Sequence, residues 1–405
     1  MTHAHYQVKS VADNDNYTVL GKLSAAEFLA DYWQKRPLLI PQAIPGYTAP
    51  LDPDELAGLA CLDDVESRIV LEKDGAAPWE LRHGPFDDAA FGALPASHWT
   101  LLVQECNKHV PELALLLDQF NFIPNWRVDD VMVSYAAPHG SVGPHVDQYD
   151  VFLLQGLGQR RWQINASKNA HFNFLPGASL RILQQFKSEQ EWILEPGDML
   201  YLPPGVAHYG VALDDCMTLS IGFRAPSHCD LLTHFAEDQF AGISDPFLVP
   251  RYEDPGLSLA QNCGEISDSE LRNIVNILQS YTGNVENVKR WFGRYITEPK
   301  IDSAVEPRRI AENTDQLRAM IAGQEYTCRS EYVRFSYIQH TGQPVYLYVN
   351  GHEYLLRNDE QSFARIICSQ RRFDAPRMLA FLDNAALRQR VLDFFNNGYL
   401  YFEEA

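Results

Sequence analysis

A succession of short apolar runs between Val128 and Phe223 constrains the fold of this chain more than any other feature. Glycine and proline separate the runs, as expected of strands bounded by turns. Many short strands at such spacing are typical of an antiparallel barrel or sandwich. We therefore expect that kind of β core in the middle of the chain. The runs are Val131–Tyr135, Val151–Leu154, Arg161–Ile164, Glu191–Leu194, Met199–Leu202 and Met217–Phe223.

Two histidines and one aspartate in this region form a metal-ligand pattern. His145 and Asp147 stand at the start of a strand, and residues two apart on a strand point to the same face. His208 follows a Pro-Gly-Asp turn, a strand and a Pro-Pro-Gly loop, as in the second half of a cupin-type metal site. Two imidazoles and one carboxylate leave open positions on an ion, as a non-haem Fe(II) oxygenase needs. The alternative is two unrelated histidines with ordinary hydrogen bonds.

Two adjacent arginines follow the first half of this pattern. Strand alternation places one of Arg160 and Arg161 inside the β core and the other outside, without saying which. A guanidinium inside a barrel requires an anion, and arginine binds a carboxylate with two parallel hydrogen bonds. The distal carboxylate of 2-oxoglutarate would serve, with its keto-acid end on the iron. A surface pair of arginines is the alternative.

Composition and charge narrow the class of function. The 405-residue chain has a formal net charge of −20, which repels nucleic-acid phosphates and attracts basic partners. Its seven cysteines contain no Cys-x-x-Cys pair and are odd in number, which favours reduced thiols. We see no signal peptide and no apolar run of about 18 residues that would span a membrane. We therefore expect a cytoplasmic protein of two or three domains.

The region before the β core contains helices and a hairpin. Residues 24–36 predict an amphipathic helix with Ser24 as its N-cap. Arg68–Glu72 and Trp79–Arg82 predict the two strands of a hairpin. Leu101–Phe120 predicts a second long helix.

The region after the β core changes texture twice. Leu231–Phe240 and Asp268–Phe292 have helical periodicity, and the second segment carries a broad apolar stripe. Such a helical segment either mediates dimerisation or is a packed linker, and we favour dimerisation. The last hundred residues combine helices with a strand pair that turns at Asn350–Gly351, which indicates a winged-helix-like unit. Because this unit is nearly charge-balanced, we expect a structural or protein-binding role and no DNA binding.

These motifs together resemble the bacterial JmjC-domain ribosomal oxygenases, whose known members hydroxylate an arginine of large-subunit ribosomal protein number sixteen. The resemblance covers nearly the whole chain and is loosest beyond Phe240. It implies an α+β protein with a double-stranded β-helix (jelly-roll, cupin-like JmjC) core. The matching stretches are Asp31–Pro37, Pro53–Ala60, His83–Phe86, Pro144–Phe152, Glu195–His208 and Gly222–Pro226.

The resemblance also implies a division of the chain. Residues 1–226 would form the oxygenase domain, 227–300 a helical dimerisation region, and 301–405 a winged-helix-like domain. In this family the basic residue that binds 2-oxoglutarate stands fifteen residues after the first metal histidine, and that position is Arg160 here. The expected assembly is a homodimer.

Two further residues are weaker candidates for the co-substrate site. Tyr149 shares the expected strand face of the first two metal ligands, so it should point into the site and contact substrate or co-substrate. Ser220 lies on a late strand near the expected pocket, where its hydroxyl could support the same carboxylate as Arg160. Core packing is the alternative for Tyr149, and space filling is the alternative for Ser220.

The pattern and the resemblance predict an Fe(II)- and 2-oxoglutarate-dependent dioxygenase, with His145, Asp147 and His208 as its metal ligands. Dioxygen would be the other co-substrate, and an arginine of a basic ribosomal protein would be hydroxylated. The same ligands accept other divalent metals. One alternative is a hydroxylase of histidine or of another protein. Others are a cupin that only binds metal or ligand, and a DNA-binding regulator, which the acidic charge disfavours.

Overall fold

The computed structural model describes residues 18–73, 75, 78–167, 172–257, 264, 266–299, 305–339, 343–357 and 360–403. The N-terminal segment, in which we predicted no signal peptide, lies outside these ranges, and so does Cys263. The chain divides into two compact units, Met1–Ala225 and Pro226–Ala405. The further boundary at residue 300 stays a prediction. Among the described helices, none is long and apolar enough to span a membrane.

The first unit is mainly antiparallel β-structure with helices near its N-terminus. The helices are α1 Ala25–Asp31, α2 Pro53–Leu59, α3 Asp88–Gly92 and α4 Pro111–Leu117. The strands are β1 Leu38–Ile40, β2 Ser67–Leu71, β3 Glu80–His83, β4 Trp99–Val103, β5 Val128–Ala136, β6 His145–Val146, β7 Val151–Leu157, β8 Arg160–Asn165, β9 Gln190–Leu194, β10 Met199–Leu202, β11 Ala207–Ala212 and β12 Cys216–Phe223.

These strands form two sheets. The larger has the order β1-β10-β7-β12-β5-β4-β2-β3, and the smaller has the order β6-β11-β8-β9. The paired strands are antiparallel, and most neighbours are not consecutive in the chain, as in a jelly roll. The predicted antiparallel sandwich and the α+β class are confirmed.

Alternate residues of β7 pack into two different cores. Phe152 faces the N-terminal elements, where its ring centroid lies 5.5 Å from that of Phe28 on α1. Val151 and Leu153 face the smaller sheet and pack in a separate cluster with Ile164 of β8. The side chains between the two sheets thus form small apolar clusters, and polar side chains such as Arg160 are buried there as well.

The predicted helix over residues 24–36 is confirmed at its start and shorter than expected. Ser24 is the N-cap of α1: its hydroxyl accepts from the Glu27 N–H at 3.2 Å, and the Glu27 carboxylate accepts from the Ser24 N–H at 2.9 Å. The helix ends at Asp31, and Gln34 adopts a left-handed φ of 56° that a helix cannot continue through.

The predicted helix over Leu101–Phe120 is wrong in its first part. Leu101–Val103 belong to β4, which lies between β2 and β5 in the larger sheet. Glu105 then takes a left-handed φ of 52°, and α4 begins only at Pro111, where proline is favoured at a first helical position. The pairing with two neighbouring strands overrides the local helical pattern.

The second unit contains helices and two three-stranded sheets. The helices are α5 His228–Phe240, α6 Asp268–Thr282, α7 Val285–Thr297, α8 Thr314–Ala322, α9 Gln361–Ser369, α10 Ala375–Asp383 and α11 Arg388–Asn396. The strands are β13 Tyr326–Arg329, β14 Phe335–Ile338, β15 Val345–Val349, β16 His352–Leu356, β17 Arg372–Asp374 and β18 Leu400–Phe402, in the orders β17-β13-β18 and β14-β15-β16. The predicted turn at Asn350–Gly351 is confirmed between β15 and β16.

The single helix predicted over Asp268–Phe292 is two helices. The helix is interrupted at Gly283 and Asn284. The Asn284 side chain caps α7 by accepting from the Asn287 N–H at 3.2 Å. Helix α7 then runs past Phe292 to Thr297. Because the cap residue leaves the spacing of the apolar residues unchanged, that spacing does not reveal the boundary between the two helices.

Candidate active site

The pairing of β6 with β11 places the two predicted metal histidines side by side. His145 and His208 are directly opposite each other in this antiparallel pair. Their ring centroids lie 4.2 Å apart. The sequence reasoning placed His208 at the end of a loop, but the structure places it on a strand of the smaller sheet. Its position is therefore fixed by the register of the sheet.

Asp147 completes the group. Its Oδ1 lies 3.9 Å from Nε2 of His145, and its Oδ2 lies 3.6 Å from Nε2 of His208. One ligand atom from each of the three residues falls within 4.8 Å of the others. The carbonyl of Asp147 accepts a hydrogen bond from the Gly205 N–H at 2.8 Å, which ties it to the loop before β11.

Backbone carbonyls orient both imidazoles. Nδ1 of His145 lies 2.9 Å from the Gly143 carbonyl, and Nδ1 of His208 lies 3.0 Å from the Val206 carbonyl. A carbonyl only accepts, so each Nδ1 donates a proton to it, and in the neutral ring Nε2 is then the nitrogen that offers a lone pair to a metal. Burial, followed by the proximity of His145, lowers the pKa of His208 to about 4, which favours the neutral form that binds metals.

A buried carboxylate anchors the far end of the segment that carries the ligands. Asp150 is fully buried and accepts from Tyr201 Oη at 2.7 Å, Gln34 Nε2 at 2.9 Å and Arg127 Nη2 at 3.2 Å. Burial raises the pKa of Asp150, and these donors oppose that shift. The loop from His145 to Asp150 is thus held at both ends, which restricts where Asp147 can lie.

The donor set fits a divalent metal with open positions. Two imidazoles on paired strands and one carboxylate just beyond β6 bring their ligand atoms together, and this donor set is that of non-haem Fe(II) oxygenases. Within the described ranges, no other cluster of three such side chains comes together in this way. The structure therefore brings together the three residues that the sequence pattern predicted.

Arg160 is the inward member of the arginine pair. It is 3% exposed, whereas Arg161 is only partly buried, as the alternation on β8 requires. Its Nη1 lies 3.5 Å from Ser134 Oγ and its Nη2 lies 3.4 Å from the Gly210 carbonyl, both long for hydrogen bonds. Its Nε has no partner in the described part of the chain. Burial lowers the pKa of Arg160. A guanidinium with so little compensation is suited to an anionic ligand.

Ser134 is a site residue that the sequence reasoning missed. It lies on β5, opposite Thr218 of β12, and its hydroxyl accepts the long hydrogen bond from Nη1 of Arg160. Thr218 in turn donates to the buried Gln155 side chain at 3.0 Å. Strand alternation would have placed Ser134 on the inner face, but a lone serine in a strand carries no other signal.

Tyr149 does not stand on the strand that was expected to orient it. Strand β6 ends at Val146, so alternation with His145 does not extend to Tyr149, and its side chain is 44% exposed. Burial of its hydroxyl, and the negative charges of Asp147 and Asp130, raise the pKa of Tyr149. It therefore lies within electrostatic range of the metal ligands, and its role in binding stays a prediction.

Ser220 lies on the inner face of β12, two residues from Thr218, and is 9% exposed. The hydrogen bonds of Arg160 go to Ser134 and Gly210 and not to Ser220. The proposed support of a carboxylate by Ser220 also stays a prediction.

Comparisons with known proteins agree with this arrangement. A family profile described as a JmjC domain matches residues 115–231, and one described as a ROXA-like winged helix matches residues 278–401. The second match confirms the predicted C-terminal winged-helix fold.

Two of the curated relatives are bacterial proteins of similar length. The chain is 31% identical to ribosomal protein uL16 3-hydroxylase of Escherichia coli, over 94% of this chain and 98% of that protein. It is 33% identical to a probable ribosomal oxygenase of Haemophilus influenzae, over 80% of each. Among solved structures, the Escherichia coli ribosomal oxygenase YcfD in complex with cobalt and 2-oxoglutarate matches with a TM-score of 0.80 at 31% identity. That match covers 95% of this chain and 99% of that one. The chain belongs to the JmjC-domain ribosomal oxygenases.

Proposed function

We propose that the protein is an Fe(II)- and 2-oxoglutarate-dependent dioxygenase that hydroxylates an arginine side chain of large-subunit ribosomal protein uL16. The observation that carries this proposal is the pairing of the three convergent metal ligands with a buried, poorly compensated arginine on the neighbouring strand. The Escherichia coli relative, named for uL16 3-hydroxylation, supports the choice of substrate.

His145, Asp147 and His208 would hold the iron through two Nε2 atoms and one carboxylate oxygen. Iron held there would supply oxidative chemistry in which one atom of dioxygen enters succinate, as 2-oxoglutarate loses carbon dioxide, and the other atom enters the substrate. The related structure that holds cobalt and 2-oxoglutarate supports both ligands for this site. The residues of this chain supply a fixed facial set of donors, and the other side of the metal stays accessible to co-substrates.

Arg160 would bind the distal carboxylate of 2-oxoglutarate. Its guanidinium is buried, its two hydrogen bonds are long, and its Nε is unpaired within the described structure. A carboxylate placed there would receive charge-assisted hydrogen bonds that compensate the burial of the guanidinium. Ser134, next to Nη1, would add a neutral hydrogen bond to the same group.

The surroundings of Tyr149 favour a cationic substrate side chain. Asp130 and Asp129 act on Tyr149 as negative charges and Arg68 acts with the opposite sign, whereas the charge of Asp147 would be offset by the metal that it holds. This part of the site is thus net acidic, and the whole chain carries a charge of −20. Such a field attracts a basic ribosomal protein and fits an arginine side chain better than a neutral histidine.

The direct test is incubation of the protein with Fe(II), 2-oxoglutarate and intact ribosomes, followed by mass spectrometry. We expect uL16 to gain the mass of one oxygen atom, with fragmentation that places it on an arginine. The Asp147→Ala protein should give no such product. A gain of one oxygen atom on a histidine, or on another protein, would show that the assigned substrate is wrong. If 2-oxoglutarate is not converted to succinate under any condition, the protein is a cupin that only binds metal, and the proposal is wrong.

We also propose that the protein is a homodimer joined through α6. Several large apolar side chains of this helix are exposed, at 40% to 62% of their surface. They form a patch rarely left open to water on a monomer. A second copy of the chain would cover it. They are Leu271, Ile274, Val275, Ile277 and Leu278.

Light scattering of the eluted protein tests the dimer. Leu271→Glu combined with Leu278→Glu should convert a dimeric mass into a monomeric one without loss of helical circular dichroism. Asn273→Glu on the same helix is the control and should keep the dimer. A wild-type monomer, or a dimer in the double variant, would contradict the assignment.

A further inference from the structure

Trp162 lies between the two ends of the site. It is the next inward residue on β8 after Arg160, and it stands opposite Gly210, which lies between His208 and Ala212 on β11. Its ring centroid is 5.1 Å from the Arg160 guanidinium carbon and 5.9 Å from the ring of His208. A molecule that reached from the metal to Arg160 would therefore pass beside this indole.

Gly210 allows the indole to lie there. A Cβ atom at this position would be 2.7 Å from Cζ3 and Cη2 of Trp162 and 2.8 Å from Arg160 Nε. Any larger residue would force both side chains to move. The backbone of β11 is thus in direct contact with Trp162 and Arg160, and its carbonyl at Gly210 also accepts from Arg160 Nη2.

Two buried donors at this place lack partners. Trp162 is 5% exposed, and its indole N–H has no hydrogen-bond partner in the described part of the chain; the same is true of Arg160 Nε. Unpaired buried donors are costly, and folded proteins usually satisfy them with protein, water or ligand. Here two such donors belong to successive inward residues of β8, and they are suited to an acceptor that arrives with a ligand.

We propose that the Trp162 indole N–H is a second hydrogen-bond donor to bound 2-oxoglutarate, so that Trp162 binds the co-substrate together with Arg160. This inference rests on the proposed function, because it takes 2-oxoglutarate as the ligand. The competing role is purely structural: Trp162 also packs with Ile164 and Leu194 in the apolar cluster between the sheets.

Calorimetric titration of 2-oxoglutarate into the Mn(II)-loaded full-length protein separates the two roles. Trp162→Phe keeps an aromatic ring over Arg160 and Gly210 but removes the N–H. We expect the Kd for 2-oxoglutarate to rise about tenfold, as for loss of one hydrogen bond to a charged group. The Kd for Mn(II) alone should not change.

Trp192→Phe is the matched control. Trp192 stands opposite Trp162 on β9 and is partly buried against the same cluster, and its indole N–H is not one of the buried donors without a partner in the described structure. Its substitution should leave the Kd for 2-oxoglutarate within about twofold of wild type. Equal affinities for wild type and Trp162→Phe would overturn the inference. Failure of the wild type itself to bind 2-oxoglutarate would instead overturn the proposed function.

A spectrum of the wild-type protein tests the same contact without any substitution. In a proton–nitrogen correlation spectrum of the Zn(II)-loaded protein, one indole N–H resonance should move downfield when 2-oxoglutarate is added. Trp162→Phe, where it folds, should lack that resonance. If no indole resonance moves, the N–H does not bind the co-substrate and the inference is wrong.

Discussion

The two ends of the β8–β11 strand pair are prepared for their ligands in different ways. At the metal end, the Nδ1 atoms of His145 and His208 are hydrogen-bonded to backbone carbonyls within the chain. At the other end, Arg160 has two long contacts and an Nε without a partner in the described structure. The metal end is therefore organised by the protein alone, and on the proposed function the co-substrate end would be completed by its ligand. Substitutions at the first should remove the chemistry, and those at the second should weaken co-substrate binding.

The largest effect is expected at the metal end. His208→Ala leaves two ligands and a cavity on β11, so we expect Co(II) binding to weaken by at least about a hundredfold and hydroxylation to fall by about a thousandfold or more. Cobalt absorption and mass spectrometry of uL16 measure the two. His83→Ala, at an exposed histidine on β3, is the control and should behave as wild type. Full activity of His208→Ala would contradict the assignment of His208 as a metal ligand, and with it the distinction between the two ends.

A smaller and different effect is expected for Arg160→Lys. Lysine keeps the positive charge but cannot donate two parallel hydrogen bonds, so the KM for 2-oxoglutarate should rise about a hundredfold. Because the metal ligands are untouched, kcat should fall by less than about tenfold. Arg161→Lys changes the outward neighbour and should leave KM within about twofold. A fall in kcat with an unchanged KM would place Arg160 with the metal end instead.

The smallest effect is expected for Ser134→Ala. A neutral hydrogen bond contributes about 1 kcal/mol, which corresponds to about a fivefold rise in the KM for 2-oxoglutarate. Ser220→Ala should change it less, because the Arg160 guanidinium contacts Ser134 and not Ser220. Steady-state kinetics at varied 2-oxoglutarate decides between them. A larger effect at Ser220 would show that the carboxylate lies nearer to β12 than the contacts of Arg160 indicate.

The sequence was most informative where a motif ties chemistry to spacing. His145, Asp147 and His208 could be chosen because few residue types bind iron and because turns flank both halves of the pattern. The inward position of Arg160 needed the family resemblance, since alternation alone left Arg161 equal to it. Sheet pairing then turned these choices into a site, by register that no local pattern reports.

The sequence was least informative where distant pairing decides the outcome. Leu101–Val103 read as helix but form a strand between β2 and β5, and Ser134 gained its place only because β5 and β8 face each other across the interior. The short length of β6 likewise removed the strand argument for Tyr149. In each case the deciding partner is far away in the chain.

A titration of 2-oxoglutarate into the Co(II)-loaded protein, followed by visible absorption, tests most directly whether the metal and Arg160 bind the same molecule. The keto-acid end reports on the metal through the cobalt spectrum, and the concentration required reports on Arg160. We expect a saturable spectral change in wild type, and the same change in Arg160→Lys at about a hundredfold higher concentration. An unchanged cobalt spectrum, or equal half-saturation in the two proteins, would contradict the account.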